Sequence, residues 1–317
     1  MPQYFLGIDG GQSSTTALIG DETGRVIGAG RGGPCNHAGA AEGRAKFVAA
    51  MTACLQAACA QAGLDPSSVR FACACLGFSG GPADKEAILR EILASDRMVV
   101  TTDAFIALTG ATAGEPGLIV IAGTGSIAFG RNATGQTARA GGWGYLFGDE
   151  GGGFHIVRQA LRAALRAEEG WGPPTALRAV LLQTTGAHDM NQLLHLFYTA
   201  EFPRDRVAGL AKLVDGAAEN GDHVAREILH EAAQQLAILA AAVRRQLFGA
   251  GERVRLAHVG RVFHSRILLA RFQTLVQLDE GTLVEPPLYP PAGGALLEAY
   301  RAAGAERTLS NVPAGEF

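Results

Sequence analysis

The apolar run LIVIA at residues 118–122 continues directly into GTGS at residues 123–126, and GGWGYLFGDEGGG follows at Gly141–Gly153. The apolar run predicts a buried strand. A strand that ends in a turn of small residues leaves backbone N–H groups free to hold an anion. The second glycine-rich segment adds an aromatic ring and a carboxylate, which are the groups that bind a sugar ring. This part of the sequence therefore predicts an anion-binding turn beside a sugar-binding turn.

A dinucleotide site is the first alternative for this segment. The string from Gly123 to Ala128 fits the G-x-G-x-x-G/A pattern. That pattern requires a helix immediately after the glycines. Here Ile127–Arg131, a turn at Asn132–Gln136 and then Thr137–Ala140 predict a hairpin instead. We therefore reject the dinucleotide site.

Length and composition limit the class of protein. The chain has 317 residues, of which 48% are hydrophobic, and this is enough for two domains of ordinary size. The net charge is −3 and no basic block is present, which argues against a partner such as nucleic acid or an anionic membrane. Without a basic leader, a long apolar run or a C-x-x-C pair, we expect a cytoplasmic protein whose five cysteines are reduced.

A second glycine-rich turn lies near the start of the chain. Tyr4–Ile8 predicts a short strand, and the segment DGGQSS at residues 9–14 follows it. Amides and hydroxyls in such a turn can surround phosphate oxygens, while Asp9 can reach a metal ion. A plain hairpin turn is the alternative, because Asp-Gly is common in hairpins.

Three polar residues allow both a structural and a functional interpretation. Asp103 follows a predicted strand and begins a predicted helix, Ala104–Ala113, so it is either an N-cap or a general base. Asn36 can bind a sugar or cap the helix that follows it. Asp149 can bind a sugar or cap the predicted helix Gly151–Ala167.

The order of predicted elements repeats after the turn Gly114–Gly117. Both halves begin with strand, turn, strand, turn, strand and helix. The repeat predicts an α/β protein of two domains. We expect residues 1–114, joined by a C-terminal helix at about 294–303, to form the first domain. Residues 115–293 would form the second domain, and we expect it to include a helical insertion at about 174–223.

Two local expectations concern the surface. Ala83–Ala94 predicts a helix with Lys85, Glu86 and Arg90 on its exposed face. The tail, Glu306–Phe317, is expected to be loosely ordered, as terminal segments often are.

Several motifs resemble the actin-like ATPase and sugar-kinase superfamily. The phosphate turns, adenosine turn and terminal helix of that superfamily resemble Asp9-Gly-Gly-x-Ser, Gly123-Thr-Gly-Ser, Gly260-x-Val-Phe and Pro291-Ala-Gly-Gly-Ala. Thr101-Thr-Asp-Ala and the GGWG…GDEG segment resemble the N-acetylglucosamine kinases of the BadF/BadG/BcrA/BcrD ATPase family. The resemblance runs from Leu6 to about Tyr300. It implies a two-domain actin-like ATPase (ribonuclease H-like) fold, with duplicated β-β-β-α-β-α-β-α halves around an ATP cleft.

The resemblance also implies a role for each matching residue. Asp103 would be the catalytic base that takes the proton from the sugar hydroxyl, and Asp9 would hold Mg²⁺, usually through water. The sugar pocket would be lined by Asn36, Ser79, Thr124, Gly125, Trp143 and Asp149. ATP would be held by Gly10, Gly11, Ser13, Thr124 and Gly260. The chain departs from the family pattern at Gln12 and Ser13, where Gly or Thr followed by Thr is more common.

The activity implied is ATP-dependent phosphorylation of N-acetylglucosamine at the 6-hydroxyl, by a homodimer. Glucosamine and N-acetylmuramic acid are alternative substrates, because pocket shape decides whether an acetyl or lactyl group is accepted. A dehydratase-activating ATPase is a less favoured alternative. Such proteins bind an iron–sulfur cluster through cysteines near the domain interface, whereas this chain has no cysteine beyond Cys75.

Overall fold

A computed structural model describes residues 2–11, 14–35, 41–81 and 83–313. The chain divides into two compact units. Unit 1 takes Met1–Gly117 and Pro286–Phe317, and unit 2 takes Leu118–Glu285. Within the described ranges, no helix is both long enough and apolar enough to cross a membrane.

Unit 1 is built around a five-stranded sheet in the order β3-β2-β1-β4-β5. β1 is antiparallel to β2 and parallel to β4, and β5 is parallel to β4. The strands are β1 (Tyr4–Gly10), β2 (Thr15–Asp21), β3 (Val26–Gly32), β4 (Cys73–Phe78) and β5 (Met98–Thr102). The helices are α1 (Ala41–Ala62), α2 (Glu86–Ile92), α3 (Asp103–Thr112) and, from the end of the chain, α11 (Pro291–Ala302).

Unit 2 contains a second five-stranded sheet in the order β10-β9-β6-β7-β8. Its strands are β6 (Gly117–Ala122), β7 (Ser126–Arg131), β8 (Thr137–Gly141), β9 (Val254–Val259) and β10 (Thr282–Val284). Its helices are α4 (Gly153–Glu168), α5 (Leu177–Thr185), α6 (Met190–Phe197), α7 (Arg204–Ala208), α8 (Ala211–Glu219), α9 (His223–Leu247) and α10 (Arg266–Val276). A 3₁₀ turn, Arg261–His264, follows β9.

The two sheets have the same topology, which confirms the duplication that the sequence predicts. In each sheet the first strand is central and parallel to the fourth strand, β4 in unit 1 and β9 in unit 2. In each sheet the second and third strands form an antiparallel pair. The pairing of β7 with β8 is the hairpin predicted after the GTGS turn, and it excludes the helix that a dinucleotide fingerprint needs.

The alternation of side chains along β1 divides the core of unit 1 between two faces of its sheet. Leu6 and Ile8 belong to one buried cluster, together with Phe47 of α1. Phe5 points to the other face and belongs to a cluster with Ile106 of α3 and Leu296 of α11. This is the period of two expected of a strand that is covered on both sides.

The predicted exposed position of Lys85 is wrong. Helix α2 begins only at Glu86, and Lys85 before it is 1% exposed. Its ammonium donates to the backbone oxygen of Gly81 at 2.9 Å and to a carboxylate oxygen of Asp84 at 2.7 Å. The ammonium also lies 5.8 Å from the centre of the Phe78 ring. These contacts compensate the burial of the charge, and they tie the turn after β4 to the start of α2.

The expectation of a loosely ordered tail is also wrong, as far as residues 306–313 are concerned. Ser310 accepts a hydrogen bond from the Val26 amide at 2.9 Å and donates its own amide to the Gly24 oxygen at 3.1 Å. The Asn311 side chain donates to the Val26 oxygen at 2.8 Å, and Leu309 is 6% exposed. Backbone pairing next to β3 and one buried leucine therefore hold this segment on unit 1.

Helices α3 and α11 approach each other so closely that glycine is required at their contact. A methyl group on Gly294 would overlap the backbone oxygen of Ile106 and the amide of Gly110. A methyl group on Gly110 would lie 2.7 Å from the Pro290 oxygen. Neither backbone can move without disturbing the sheet beneath it, because both helices pack on the same face of β1 and β4.

We expect Gly294→Ala to lower the free energy of unfolding by about 1–3 kcal/mol, because the added methyl group overpacks a rigid contact. Gly216→Ala is the matched control, since Gly216 also lies inside a helix but has open space around its Cβ. That variant should be neutral or gain up to ~1 kcal/mol from helix propensity. Urea unfolding followed by circular dichroism measures both; equal stability of the two variants would contradict the close contact.

Candidate active site

Two carboxylates of unit 1 lie at the same edge of its sheet. Asp9 of β1 is opposite Gly77 of β4, and Gly77 is opposite Thr101 of β5. Asp103 begins α3 directly after β5. Because the carboxyl ends of parallel strands meet at one edge, both acids emerge where ligands of open α/β sheets commonly bind.

Burial makes both carboxylates weaker acids than usual. The pKa of Asp9 is raised to about 7, mainly by burial and then by the neighbouring charge of Asp103. Burial also raises the pKa of Asp103, against the opposing effect of hydrogen bonds from the Ala104 amide and the Ser79 hydroxyl. An acid group whose pKa moves toward neutrality is suited to proton transfer.

The helix that begins at Asp103 is capped by another residue. Thr102 is the N-cap of α3, and its hydroxyl accepts a hydrogen bond from the Phe105 amide at 3.3 Å. Asp103 accepts the Ala104 amide at 2.8 Å with one carboxylate oxygen. The N-cap interpretation of Asp103 is therefore wrong. Ser79, which the sequence places in the sugar pocket, hydrogen-bonds to the Asp103 carboxylate.

The first glycine-rich turn is described only at its edges. The Gly11 amide donates to the Ser14 oxygen at 2.9 Å, and the Gly11 oxygen accepts the Cys35 amide at 3.0 Å. Gly10 packs so closely on the Phe78 ring that a Cβ would overlap it. The predicted ligands Ser13 and Asn36 lie outside the described residues, as does Gln12.

In unit 2 the two glycine-rich segments that the sequence singles out form one piece of structure. The Gly153 amide donates to the Gly123 oxygen at 2.8 Å, and the Phe154 amide donates to the Thr124 oxygen at 3.1 Å. The Ser126 hydroxyl donates to the Glu150 oxygen at 2.5 Å. The first amides of α4, which have no partner within the helix, are thus satisfied by the turn after β6.

Asp149 is a buried carboxylate held against that turn. It is 6% exposed, and one of its oxygens accepts the Ser126 amide at 3.3 Å. The other oxygen lies 3.8 Å from a guanidinium nitrogen of Arg204. A Cβ on Gly125 would overlap the carboxylate, so glycine is required there. The N-cap of α4 is Gly152, which has no side chain, so the interpretation of Asp149 as the cap of this helix is wrong.

Trp143 lies on the surface of unit 2. The side chain is 64% exposed, and the Arg139 guanidinium lies 4.3 Å from its ring centre. Tyr145, two residues on, contacts the ring of Phe154 edge-on and has the Arg204 guanidinium 5.4 Å from its own ring centre. Arg204 therefore lies beside both Tyr145 and Asp149, whereas Arg139 lies beside Trp143.

Arg204 is a site residue that the sequence does not indicate. It begins α7, in the helical segment that the sequence treats only as an insertion. No motif or spacing links it to Asp149, because the chain passes through three helices, α4, α5 and α6, between them. The need for such a residue is apparent only from the folded structure, in which Asp149 is buried, because a buried carboxylate needs a cation or hydrogen-bond donors nearby.

Packing within the protein requires glycine at position 260 but not at position 123. Gly260 has φ of 112°, and a Cβ there would overlap the Ala122 oxygen, so packing of β9 against β6 already demands glycine. Its role next to a nucleoside stays a prediction. Gly123, by contrast, has nothing within 4 Å of the position of a Cβ. Its open side leaves room for a ligand.

The residues of unit 1 fit a magnesium ion better than an iron–sulfur cluster. The described residues contain no group of three or more His, Cys, Asp or Glu side chains that could hold a metal. Magnesium needs fewer protein ligands, because it keeps waters and uses one or two carboxylates with substrate phosphates. Asp9 suits that role. All five cysteines are buried, and burial raises the pKa of each thiol, which disfavours the thiolate that a cluster requires.

Two α/β units of one topology, each with a glycine turn after its first strand, define an actin-like ATPase fold of the sugar-kinase kind. The chain belongs to the BadF/BadG/BcrA/BcrD ATPase family, whose model matches residues 6–299. This confirms the family that the sequence motifs indicate.

Relatives and solved structures agree with this assignment. The chain is 31% identical over 285 residues to the N-acetylmuramic acid/N-acetylglucosamine kinase of Clostridium acetobutylicum, covering 87% of this chain and 91% of that protein. It is 32% identical over 248 residues to the N-acetyl-D-glucosamine kinase of Dictyostelium discoideum, covering 74% and 77%. A crystal structure from Chromobacterium violaceum, named "Putative N-acetylglucosamine Kinase", superposes with a TM-score of 0.78 at 27% identity, covering 93% and 98%.

We expect Gly125→Ala and Gly123→Ala to behave differently. The first adds a methyl group against the Asp149 carboxylate, so it should lower the melting temperature, with a loss of about 1–3 kcal/mol. The second adds a methyl group into open space and should leave the melting temperature nearly unchanged. If the turn holds ATP phosphates, Gly123→Ala should still raise the Michaelis constant for ATP. A large loss of stability in Gly123→Ala would contradict the open side of the turn.

Asp9 should make the stability of the protein depend on pH. Its pKa is raised from 3.8 to about 7, so the folded protein holds this proton more tightly than the unfolded chain. The unfolding free energy should therefore fall as the pH rises from about 4 to about 7, and Asp9→Asn should remove that fall. At pH 8 the variant should be the more stable protein. Urea unfolding at several pH values, with the exposed Asp279→Asn as control, tests this; parallel profiles for wild type and Asp9→Asn would overturn it.

Proposed function

We propose that the protein is an ATP-dependent amino-sugar kinase that phosphorylates N-acetylglucosamine at its 6-hydroxyl, with Asp103 as the general base. The observation that carries the proposal is the position of Asp103 at the carboxyl end of β5. There it is half-buried, has a raised pKa and is oriented by Ser79 and Ala104. Membership of an ATPase family and kinship with N-acetylglucosamine kinases support the reaction class.

The proposed work of Asp103 follows from its surroundings. A sugar hydroxyl becomes a better nucleophile when a base accepts its proton as the phosphorus–oxygen bond forms. The Ala104 amide and the Ser79 hydroxyl fix the carboxylate before the substrate arrives. Less reorganisation is then needed during the reaction, and this lowers the barrier.

We propose that the two glycine turns hold the phosphates of ATP. Gly10 and Gly11 would do so in unit 1, and Thr124 in unit 2, where the open side of Gly123 supports close approach of a ligand. Asp9 would be the protein ligand of Mg²⁺, largely through water, and the ion would neutralise phosphate charge when bound. The proposed roles of Ser13 and Gly260 rest on the family resemblance.

The proposed sugar half-site of unit 2 consists of Thr124, Gly125, Trp143 and Asp149. Asp149 is fixed by Ser126 and Arg204, and a carboxylate with two oxygens still has lone pairs for sugar hydroxyls. The exposed Trp143 ring offers a face for the apolar side of a sugar. The proposed contribution of Asn36 rests on the resemblance alone.

The choice among amino sugars is the finer part of the proposal. N-acetylglucosamine is favoured because it appears in the names of both relatives above 30% identity. N-acetylmuramic acid appears in one of those names, and a glucosamine kinase of Vibrio cholerae is 29% identical over 235 residues. We further propose that units 1 and 2 are the two domains of the kinase; a homodimer and a cytoplasmic location stay predictions.

An ADP-coupled assay with N-acetylglucosamine, N-acetylmuramic acid, glucosamine and glucose tests the proposed function. Turnover with none of the amino sugars would overturn it. If turnover is highest with another amino sugar, the proposed kinase activity stands and the proposed substrate is wrong.

Asp103→Asn should lower kcat by ~10²–10⁴-fold, the range that general-base catalysis supplies, while calorimetry shows that sugar still binds. Thr102→Ala is the control, because it removes the cap of the same helix. It should lose about 1 kcal/mol of stability but keep most of its kcat. A kcat for Asp103→Asn within about threefold of wild type would rule out the base.

A further inference from the structure

Three successive glycines, Gly151–Gly153, stand at the start of α4, where side chains normally stabilise the first turn of a helix. Gly152 is the N-cap and offers no side-chain acceptor. Glycine also loses more conformational freedom on folding than any other residue. A segment of this composition needs an external group to fix it, particularly since Asp149 has φ of 64°, in the left-handed region.

His155 supplies that group from the first turn of α4. Its Nδ1 accepts a hydrogen bond from the Gly151 amide at 2.9 Å, and the side chain is 8% exposed. The contact resembles the half of a capping box in which the third residue of a helix reaches back to an amide before the helix. On the other side of the ring, Nε2 lies 3.2 Å from the side-chain amide of Gln159.

Fixing Gly151 fixes the backbone on both sides of it. The Gly152 amide donates to the backbone oxygen of Asp149 at 3.0 Å, and the Gly153 amide donates to the backbone oxygen of Gly123 at 2.8 Å. Gly151, whose amide donates to His155, therefore lies along the chain between Asp149 and Gly153, the residue that bonds to the turn after β6. If the hydrogen bond from Gly151 to His155 is lost, three successive glycines separate Glu150, the neighbour of Asp149, from Phe154, the first side chain of α4.

Only the neutral imidazole can accept the Gly151 proton at Nδ1, because both ring nitrogens are donors once the ring is charged. Its proton then sits on Nε2, and the Gln159 amide accepts that proton through Oε1, the flipped orientation of the amide whose nitrogen is otherwise 3.2 Å away. Burial lowers the pKa of His155, and the cations Arg158 and Arg162 of α4 act in the same direction. Glu150 and Glu231 of α9 oppose them. Since burial dominates, the ring is neutral at neutral pH and becomes charged only in more acidic solution.

We propose that His155 is a positioning residue of the sugar half-site: as a neutral ring it holds Asp149–Gly153 in the conformation that receives the sugar, and its protonation releases that segment. The proposal rests on the proposed contact of Asp149 with the substrate. Sugar binding would then weaken in acidic solution because His155, in the first turn of α4, becomes protonated, and not because the proposed base Asp103 does.

The test compares His155→Phe with His155→Gln. Phenylalanine keeps an aromatic ring but accepts no hydrogen bond, so the Michaelis constant for the sugar should rise about three- to tenfold, the loss expected for one hydrogen bond. The constant for ATP should stay within about twofold of wild type. A glutamine side chain can reach back to the Gly151 amide as it does in capping boxes, so His155→Gln should keep the wild-type Michaelis constant for the sugar at neutral pH.

The pH profile separates this role from a merely structural one. Toward acid, kcat/KM for the sugar should fall further in wild type than in His155→Gln, because glutamine does not titrate. The contribution of Asp103 is common to both proteins and cancels in the comparison. Identical acid limbs would overturn the proposal, as would an unchanged sugar constant in His155→Phe. If His155→Phe does not fold, the two acid limbs decide the question alone.

Amide hydrogen exchange gives a readout that does not depend on activity. In the protein without substrate, exchange at Gly151 should be faster in His155→Phe than in wild type and slow again in His155→Gln. A wild-type protein that phosphorylates none of the amino sugars would defeat the proposed function, while slow exchange at Gly151 would still support the hydrogen bond. Equal exchange in all three proteins would overturn the positioning role itself.

Discussion

The first amides of helix α4 donate to the carbonyls of the GTGS turn, and the functional geometry of unit 2 depends on this docking. The two bonds, from Gly153 to Gly123 and from Phe154 to Thr124, satisfy a helix start that has no capping side chain. They also hold Asp149 beside Ser126 at the same turn. A turn proposed to hold phosphate and a carboxylate proposed to hold sugar are therefore parts of one hydrogen-bonded element.

Unit 1 places its chemistry under a different constraint, since it keeps two acids where burial disfavours their charged forms. Burial raises the pKa of both Asp9 and Asp103, and the charge of Asp103 raises the pKa of Asp9 further. Hydrogen bonds from the Ala104 amide and the Ser79 hydroxyl oppose this effect at Asp103 and orient its carboxylate. Such an arrangement sacrifices stability for reactivity, which is common at functional sites and uncommon elsewhere in a fold.

Much of this architecture could be predicted because its signals are local. The apolar run before Gly123, the hairpin after it and the repeat of the same order in both halves depend only on neighbouring residues. The burial of Lys85, the pairing of Ser310 beside β3 and the contact of Arg204 with Asp149 could not be predicted. The last two depend on segments that are distant in sequence, and a single sequence does not show which distant segments meet. The burial of Lys85 depends on the exact residue at which α2 begins, which the pattern of apolar residues does not define.

The position of Arg204 has a consequence for how such proteins diverge. The guanidinium that faces Asp149 comes from α7, in a run of short helices outside the five-stranded sheet of unit 2. Sheets tolerate little change, because every strand is constrained by its neighbours, whereas connecting segments accept insertions and substitutions readily. Natural variation confined to this peripheral run can therefore alter the electrostatic surroundings of the carboxylate in related chains while the duplicated framework is inherited unchanged.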